Sequence, residues 1–494
     1  MSCIRSVKYN PLTIFCRDFA VSKHFKDNTM QSAKNMFFFV FLTSAIFITS
    51  CKKDEIAAVV PPTTPPTNTT TPAPISTDVM KDSSILIARD IYLWNNQIPS
   101  TFNARSYEDL KKLMEGIRPF SVEAGFAQPV DRWSFAMKKS EWDQAAGGMG
   151  NSFGSLTGAE GDFGMTAFFR AGNDLRVRLV EPNSPAGLAG IRRGWKITQV
   201  NGNSDVTTSN ADFLVNGLYN ATSTTFTFQK PDGSQVTIAL TVGHYAEKPL
   251  YLDTVYNINN TKIGYLVFNS FLGNQGQIQS EFARVFSKFS SQSVTEVVVD
   301  LRYNGGGYVD LQTKLANYLV KSSANGQVMM KQVYNNQNSS NNRTTNFQKN
   351  GSLNLDDVYF IVGRSTASAS ELLINNLKPY MDVKLVGGVT HGKPVGFFPI
   401  PVGDWYIFPV SFRTTNKNNE GNYFNGFPVN SQVADGLDKD WGDVSETSLA
   451  SAINNIVNGA YLREAPYVEP ANIAEGNRKI EELNLKITVD RKTF

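Results

Sequence analysis

The chain has 494 residues, 41% hydrophobic and 18% charged, with a formal net charge of +3 and three cysteines. Its length allows several domains of about 100–200 residues, each able to bury a core, and its ordinary charge and aromatic content excludes a disordered, collagenous or coiled-coil chain. Six Lys/Arg and two Asp fall within residues 1–50, so the rest is close to neutral and gives no support to nucleic-acid binding.

Lys34 precedes the apolar run 36–48 (MFFFVFLTSAIFI), too short to span a bilayer but the length of a signal h-region. The run ends in Ile48-Thr49-Ser50-Cys51, a small-residue cleavage site placed directly before a cysteine. This pattern resembles the bacterial lipoprotein signal, in which the cysteine is diacylated and becomes the new N-terminus; two acyl chains hold a protein at a membrane where one binds marginally. The resemblance implies removal of 1–50 (with Met30 and Met36 as alternative starts) and lipidation at Cys51. It also implies a location in the envelope of a Gram-negative-type bacterium, on the outer membrane and facing the periplasm or the exterior. Cys3 and Cys16 fall in the discarded part, so a disulfide framework, a cysteine zinc site and a cysteine nucleophile are all excluded from the globular part.

Residues 51–77 form a stalk: a short charged cluster, then PPTTPPTNTTTPAPIST, which favours extended polyproline conformations over a core. Over 78–150 the apolar spacing predicts a small helical domain, with helices near 83–94 and 107–117 and a loop at Asp131-Arg132-Trp133-Ser134-Phe135. Over 151–245 the pattern changes to short alternating strands with Gly-rich turns. There the stretch RVRLVEPNSPAGLAGIRRGWKITQVNG predicts a strand at 177–180, a short helix at 186–189, and a strand at 196–200 ending in Asn201-Gly202. This segment resembles a PDZ domain of the circularly permuted bacterial kind, which implies capture of an extended peptide beside an exposed strand. From 246 to 462 strands and helices alternate: strands at 262–271, 296–301, 358–362 and 383–386, helices at 277–289, 310–320 and 370–381. That alternation predicts an α/β core with function at the strand ends. Residues 463–494 read as a partly ordered polar tail with one short helical pattern.

Two loops at strand ends could carry chemistry. Asp300-Leu301-Arg302-Tyr303-Asn304-Gly305-Gly306-Gly307 allows close backbone approach and presents amides of the kind an oxyanion hole uses. Ser365-Thr366-Ala367-Ser368-Ala369-Ser370-Glu371 places serines at a strand-to-helix junction, where they serve either as helix caps or as a nucleophile at the positive end of the helix dipole. A nucleophilic serine needs a base, and both His391 and Lys393, in the loop after the next strand, are candidates; His24 lies in the discarded segment and His244 in the β-rich one. The run Gly387–Lys393 matches half of a phosphate-binding loop, but Pro394 stands where a Ser or Thr is required, which excludes nucleotide binding.

Together, DLRYNGGG, STASASE and GKPVG, in that order and after a PDZ-like segment, resemble the C-terminal processing peptidases, tail-specific serine proteases. The resemblance implies a multidomain α+β chain: a helical N-terminal region, a PDZ β-domain and an α/β protease core of the crotonase/ClpP type. It implies Ser368 as nucleophile and Lys393 as general base. It also assigns the amide of Ala369 with Gly305 or Gly306 as oxyanion donors, and Glu371 as a third residue or only a helix cap. Two other positions used for a third residue in relatives are Pro379 and Phe397, which cannot serve, so a Ser–Lys dyad is expected, with His391 packing its loop. The lysine must be neutral to accept a proton, and its reference pKa is ~10.4; the required shift, roughly 4 kcal/mol, is within reach of burying an ammonium away from carboxylates. The function so implied is a lipid-anchored endopeptidase acting on protein substrates recruited by their C-termini, with no metal or cofactor. The alternative is a non-catalytic peptide- or protein-binding lipoprotein that keeps the protease scaffold.

Overall fold

A computed structural model of the protein describes residues 76–146, 149–150, 161–437, 439–462 and 470–480. The expected signal segment, Cys51 and nearly all of the expected stalk lie outside the described residues, as do parts of the expected tail.

The centre is a six-stranded sheet in the order Ser431–Gln432, Asp382–Gly387, Asp357–Val362, Glu296–Asp300, Thr261–Phe268, Leu250–Ile258, parallel except at its last strand. Its inner strands are buried on both faces, which is why sequences such as EVVVD are continuous apolar runs rather than alternating ones. One face carries the helices Gln275–Ser291, Val309–Leu319 and Ala369–Leu377, through a core that includes Phe282, Phe286, Leu315 and Leu373. The helix Thr447–Asn458 covers the other face with Leu449, Ala452 and Ile453. Gln275–Ser291 shows how the chain sets such an element: the Asn274 side chain accepts from the Gln277 N–H at its start, and Ile278, Phe282, Val285, Phe286 and Phe289 form the buried stripe.

The N-terminal segment has the helices Thr77–Ile91 and Leu110–Ile117, but it is not closed on itself. Its core residues Tyr92, Trp94, Leu113 and Trp133 share one apolar cluster with Val395, Ile407, Val410 and Phe424. Phe135, expected in a loop, begins the strand Phe135–Lys138, which pairs antiparallel with Trp405–Phe408. Two distant stretches of sequence thus build one wall, and that wall stands beside the site described below.

Residues 165–241 form an antiparallel five-stranded sheet in chain order: Met165–Ala171, Asp174–Val180, Lys196–Val200, Ser223–Gln229 and Gln235–Thr241, with short helices Pro185–Leu188 and Ala211–Val215. Met165–Ala171 is an edge strand. The sheet is tied to the core by ions: Arg193 reaches Asp435 and the Tyr303 hydroxyl, while the buried Arg302 bonds Asp300, Asp435 (2.8 Å) and Glu446 (2.8 Å). The two arginines hold the Asp435 carboxyl far below the usual carboxylate range despite its burial. This network fixes Arg302 and Tyr303, immediately before the glycine loop. Residues 471–480 are helical and docked on the five-stranded sheet, with Ile473 and Ile480 buried in its core.

Candidate active site

Three loops at the C-terminal ends of parallel strands meet and are stitched by backbone bonds. The Asn304 carbonyl accepts from the Ala367 N–H (3.1 Å) and the Ser370 hydroxyl (3.0 Å), joining the glycine loop to the serine loop. The Thr366 hydroxyl donates to the Leu301 carbonyl (2.7 Å), and the His391 N–H donates to the Thr366 carbonyl (2.9 Å), which adds the third loop.

Ser368 is the N-cap of the helix Ala369–Leu377, with φ 54° and ψ −115°. That left-handed conformation in a non-glycine residue stores strain of about 1–3 kcal/mol, and such strain persists only where surrounding structure enforces it. Here it lifts a half-buried serine out of the strand-to-helix turn and leaves the following amide, on Ala369, as a first-turn donor without an intrahelical acceptor. Gly306 packs directly on this turn. A Cβ at Gly306 would stand 2.8 Å from the Ser368 Cβ and 2.9 Å from the Ala369 nitrogen, so only glycine (φ +102°) fits. The Gly306 N–H donates to the Asn304 side-chain oxygen (2.9 Å). Of the two glycines named from sequence, Gly305 is therefore the one whose N–H meets no acceptor among the described residues.

Glu371 organises the centre. Its Oε2 accepts from the backbone N–H of both Ser368 (3.1 Å) and Lys393 (2.7 Å), and its Oε1 from the Gly392 N–H and the Thr390 hydroxyl (2.6 Å each). Four donors fill the lone-pair capacity of a carboxylate. One oxygen therefore sets the serine and lysine backbones side by side, although 25 positions separate them in the sequence. Burial pushes the Glu371 carboxyl up to about 7 while these four bonds pull the other way. Glu371 thus caps its helix at the Ser368 N–H and also clamps the backbone of Lys393.

Lys393 is 1% exposed. Burial drives its amine well below the usual lysine range, and the nearby carboxylates of Asp131 and Glu371 oppose this only in part. The Phe397 ring lies 4.1 Å from Nζ. Its attraction for the charged form, about 2 kcal/mol when desolvated, is smaller than the penalty of removing an ammonium from water. Gly392, before the lysine, has φ +90°, and a Cβ there would lie 2.3 Å from the Phe424 carbonyl oxygen. Its N–H belongs to Glu371, which also leaves no phosphate cradle in this loop.

His391 is engaged by the wall rather than by the serine loop's side chains. Its Nε2 accepts from the Trp133 indole N–H (3.1 Å), and burial together with the cations Arg132, Lys393 and Arg364 lowers its pKa to about 4. His244 lies away, beside the edge of the five-stranded sheet.

Residues 131–134, expected only as a loop, also reach the site. Asp131 is buried and accepts from the Tyr92 hydroxyl (2.8 Å), the Ser134 hydroxyl and the Trp133 and Ser134 amides. It is the stronger of the two carboxylate influences on Lys393. The available signal was an Asp-Arg-Trp-Ser run flanked by aromatic residues in a segment otherwise read as a loop.

Residues 262–428 match the family model described as peptidase family S41. A probable CtpA-like serine protease of Staphylococcus aureus is 29% identical over 241 residues, 48% of this chain and 46% of the relative. A protein of the same description from Staphylococcus saprophyticus is 24% identical over 232 residues, 46% of this chain and 43% of the relative. The chain thus spans about half the length of the curated relatives it matches. Among solved structures, a Bacteroides fragilis protein described as a candidate S41 protease shares the fold, with a TM-score of 0.61 at 22% identity over 76% of this chain and 96% of that one.

Proposed function

We propose that this chain, through its peptidase family S41 domain, is a serine endopeptidase in which Ser368 attacks the peptide carbonyl and Lys393 takes the serine proton. The single observation that carries the reading is the Glu371 clamp: one carboxylate oxygen binds the backbones of both residues, and the lysine amine is buried where its neutral form is favoured. In the proposed reaction the Ser368 oxygen adds to the carbonyl and the hydroxyl proton passes to the lysine amine. The tetrahedral oxyanion is met by the amides of Ala369 and Gly305, and the proton is then given to the leaving amine. Water repeats the sequence on the acyl-enzyme.

The five-stranded sheet with its edge strand Met165–Ala171 supports the accompanying reading of a PDZ-type unit that recruits substrates by adding an extended C-terminal tail to that edge. The lipoprotein-like Cys51 completes the proposal with a membrane anchor. Cys51→Ser then shifts the protein from the detergent to the aqueous phase in phase partitioning; a variant that stays in the detergent phase contradicts the anchor.

The Ser–Lys mechanism is tested by pH. The base must be neutral, so kcat/KM on an unfolded reporter protein rises with pH along a limb centred well below the ordinary lysine value near 10.5. Glu371, pushed up to about 7, adds to the loss on the acid side, because a protonated carboxyl has one fewer acceptor site for the two amides. The limb belongs to the coupled pair. Lys393→Arg, whose guanidinium does not deprotonate, abolishes turnover at every pH. A flat profile or an active Arg variant contradicts the assignment.

A further inference from the structure

The helix 471–480 sits where an added strand would sit. Met165–Ala171 ends the five-stranded sheet, so its outer backbone groups need partners from elsewhere. At Phe169 the Asn477 side chain supplies both: its Oδ1 accepts from the Phe169 N–H (2.7 Å) and its Nδ2 donates to the Phe169 carbonyl (3.0 Å). One amide thereby reproduces the pair of bonds that a residue of a neighbouring antiparallel strand makes.

The rest of the helix is fitted to the same trough. Gly476 lies so close to Thr208 that a Cβ there would be 2.7 Å from the Thr208 Cγ2 and 2.9 Å from its Cβ, with the Phe169 ring at 3.4 Å. Ile473 and Ile480 are buried in the core that holds Phe169, Leu214 and Leu218. Across the trough, Lys479 pairs with Asp212 (2.8 Å) on the helix Ala211–Val215. Ala474, Asn477 and Arg478 also wall a cavity of about 640 Å³ whose other walls include Phe168, Arg178, Gly363 and Arg364, the last two in the loop that leads to Ser368.

We propose that residues 471–480 are an internal occupant of the peptide groove, which a substrate tail must displace before it can pair with Met165–Ala171. This rests on the reading of the five-stranded sheet as a peptide-recruiting unit. Displacement removes one wall of the cavity beside the serine loop, so tail binding and access from the groove are linked. An internal occupant lowers the apparent affinity for a tail by the fraction of molecules in which the groove is open.

The test uses the full chain with Asn477→Ala and, separately, Gly476→Leu. The probe is a fluorescein-labelled pool of ten-residue peptides with free C-terminal carboxylates and an apolar last residue. Both variants bind the pool at least five-fold more tightly than the unaltered chain. In both, the amides of 165–171 exchange hydrogen faster without peptide and are protected again with it, while those of 223–229 are unchanged. Equal affinity in all three proteins overturns the internal occupant and leaves recruitment standing. Faster exchange without peptide binding by any of the three overturns the recruiting groove, and the occupant with it. Unchanged exchange in both variants shows that the helix does not cover this edge and also overturns the proposal.

Discussion

Ser368→Ala lowers hydrolysis of an unfolded reporter protein by about 10⁴-fold or more, the scale seen when a nucleophile that works as a unit with its base is removed. Binding of the reporter is kept, because the substitution deletes one oxygen from a half-buried position and touches none of the bonds that stitch the three loops together. The Ser368 N–H to Glu371 bond also survives, since it is a backbone bond. Lost turnover with retained binding separates a nucleophile from a helix cap. Loss of an N-cap side chain costs about 1 kcal/mol of stability and would leave chemistry intact. Turnover within ten-fold of the unaltered chain removes Ser368 from the proposed mechanism.

Glu371→Gln carries the second large effect, and it falls on stability and activity together. The carboxylate accepts four hydrogen bonds in full burial. A Gln amide has one oxygen and one NH2 group, so in either orientation at least one backbone N–H faces another donor. With the NH2 toward Ser368 and Lys393 both amides are opposed; turned the other way, the Gly392 N–H is opposed while the Thr390 hydroxyl, which already accepts from the Phe427 N–H (2.7 Å), must reorient. A buried group left unsatisfied costs about 1–3 kcal/mol, so a total near 3 kcal/mol is expected in chemical denaturation. The serine and lysine backbones then lose the oxygen that aligns them, and kcat falls by about 10²-fold. Because this carboxylate also raises the pKa of the lysine amine, the acid limb of the pH profile moves to lower pH in the variant. Loss of stability with unchanged kcat and an unshifted limb reduces Glu371 to a helix cap.

What the sequence disclosed follows the physics of each signal. The apolar runs and glycine punctuation of the α/β core mark strands and helices within a few residues, because buried parallel strands and amphipathic helices have strong local periodicity; the strand at 296–301 and the helix at 310–320 sit almost where expected. The serine and lysine loops were visible as motifs at the ends of neighbouring strands, but what joins them was not, since it is one carboxylate whose partners lie up to 22 positions away. Glu371 could be seen as a cap from its spacing to Ser368 alone. Asp131 and Trp133 were hidden for a related reason: the strand Phe135–Lys138 acquires its place only by pairing with Trp405–Phe408, about 270 positions on. A short helical pattern was readable in 463–494, but the docking of 471–480 was not, because its decisive contacts are one amide and one missing Cβ.

Activation of Ser368 by a neutral, buried Lys393 is tested most directly by covalent labelling with a fluorophosphonate, the labelled site located by mass spectrometry. The expected result is a single adduct on Ser368 whose rate of formation rises with pH along the same limb as turnover, and almost no adduct in Lys393→Met. An adduct on another residue, or one that forms on Ser368 at an unchanged rate without the lysine, contradicts it.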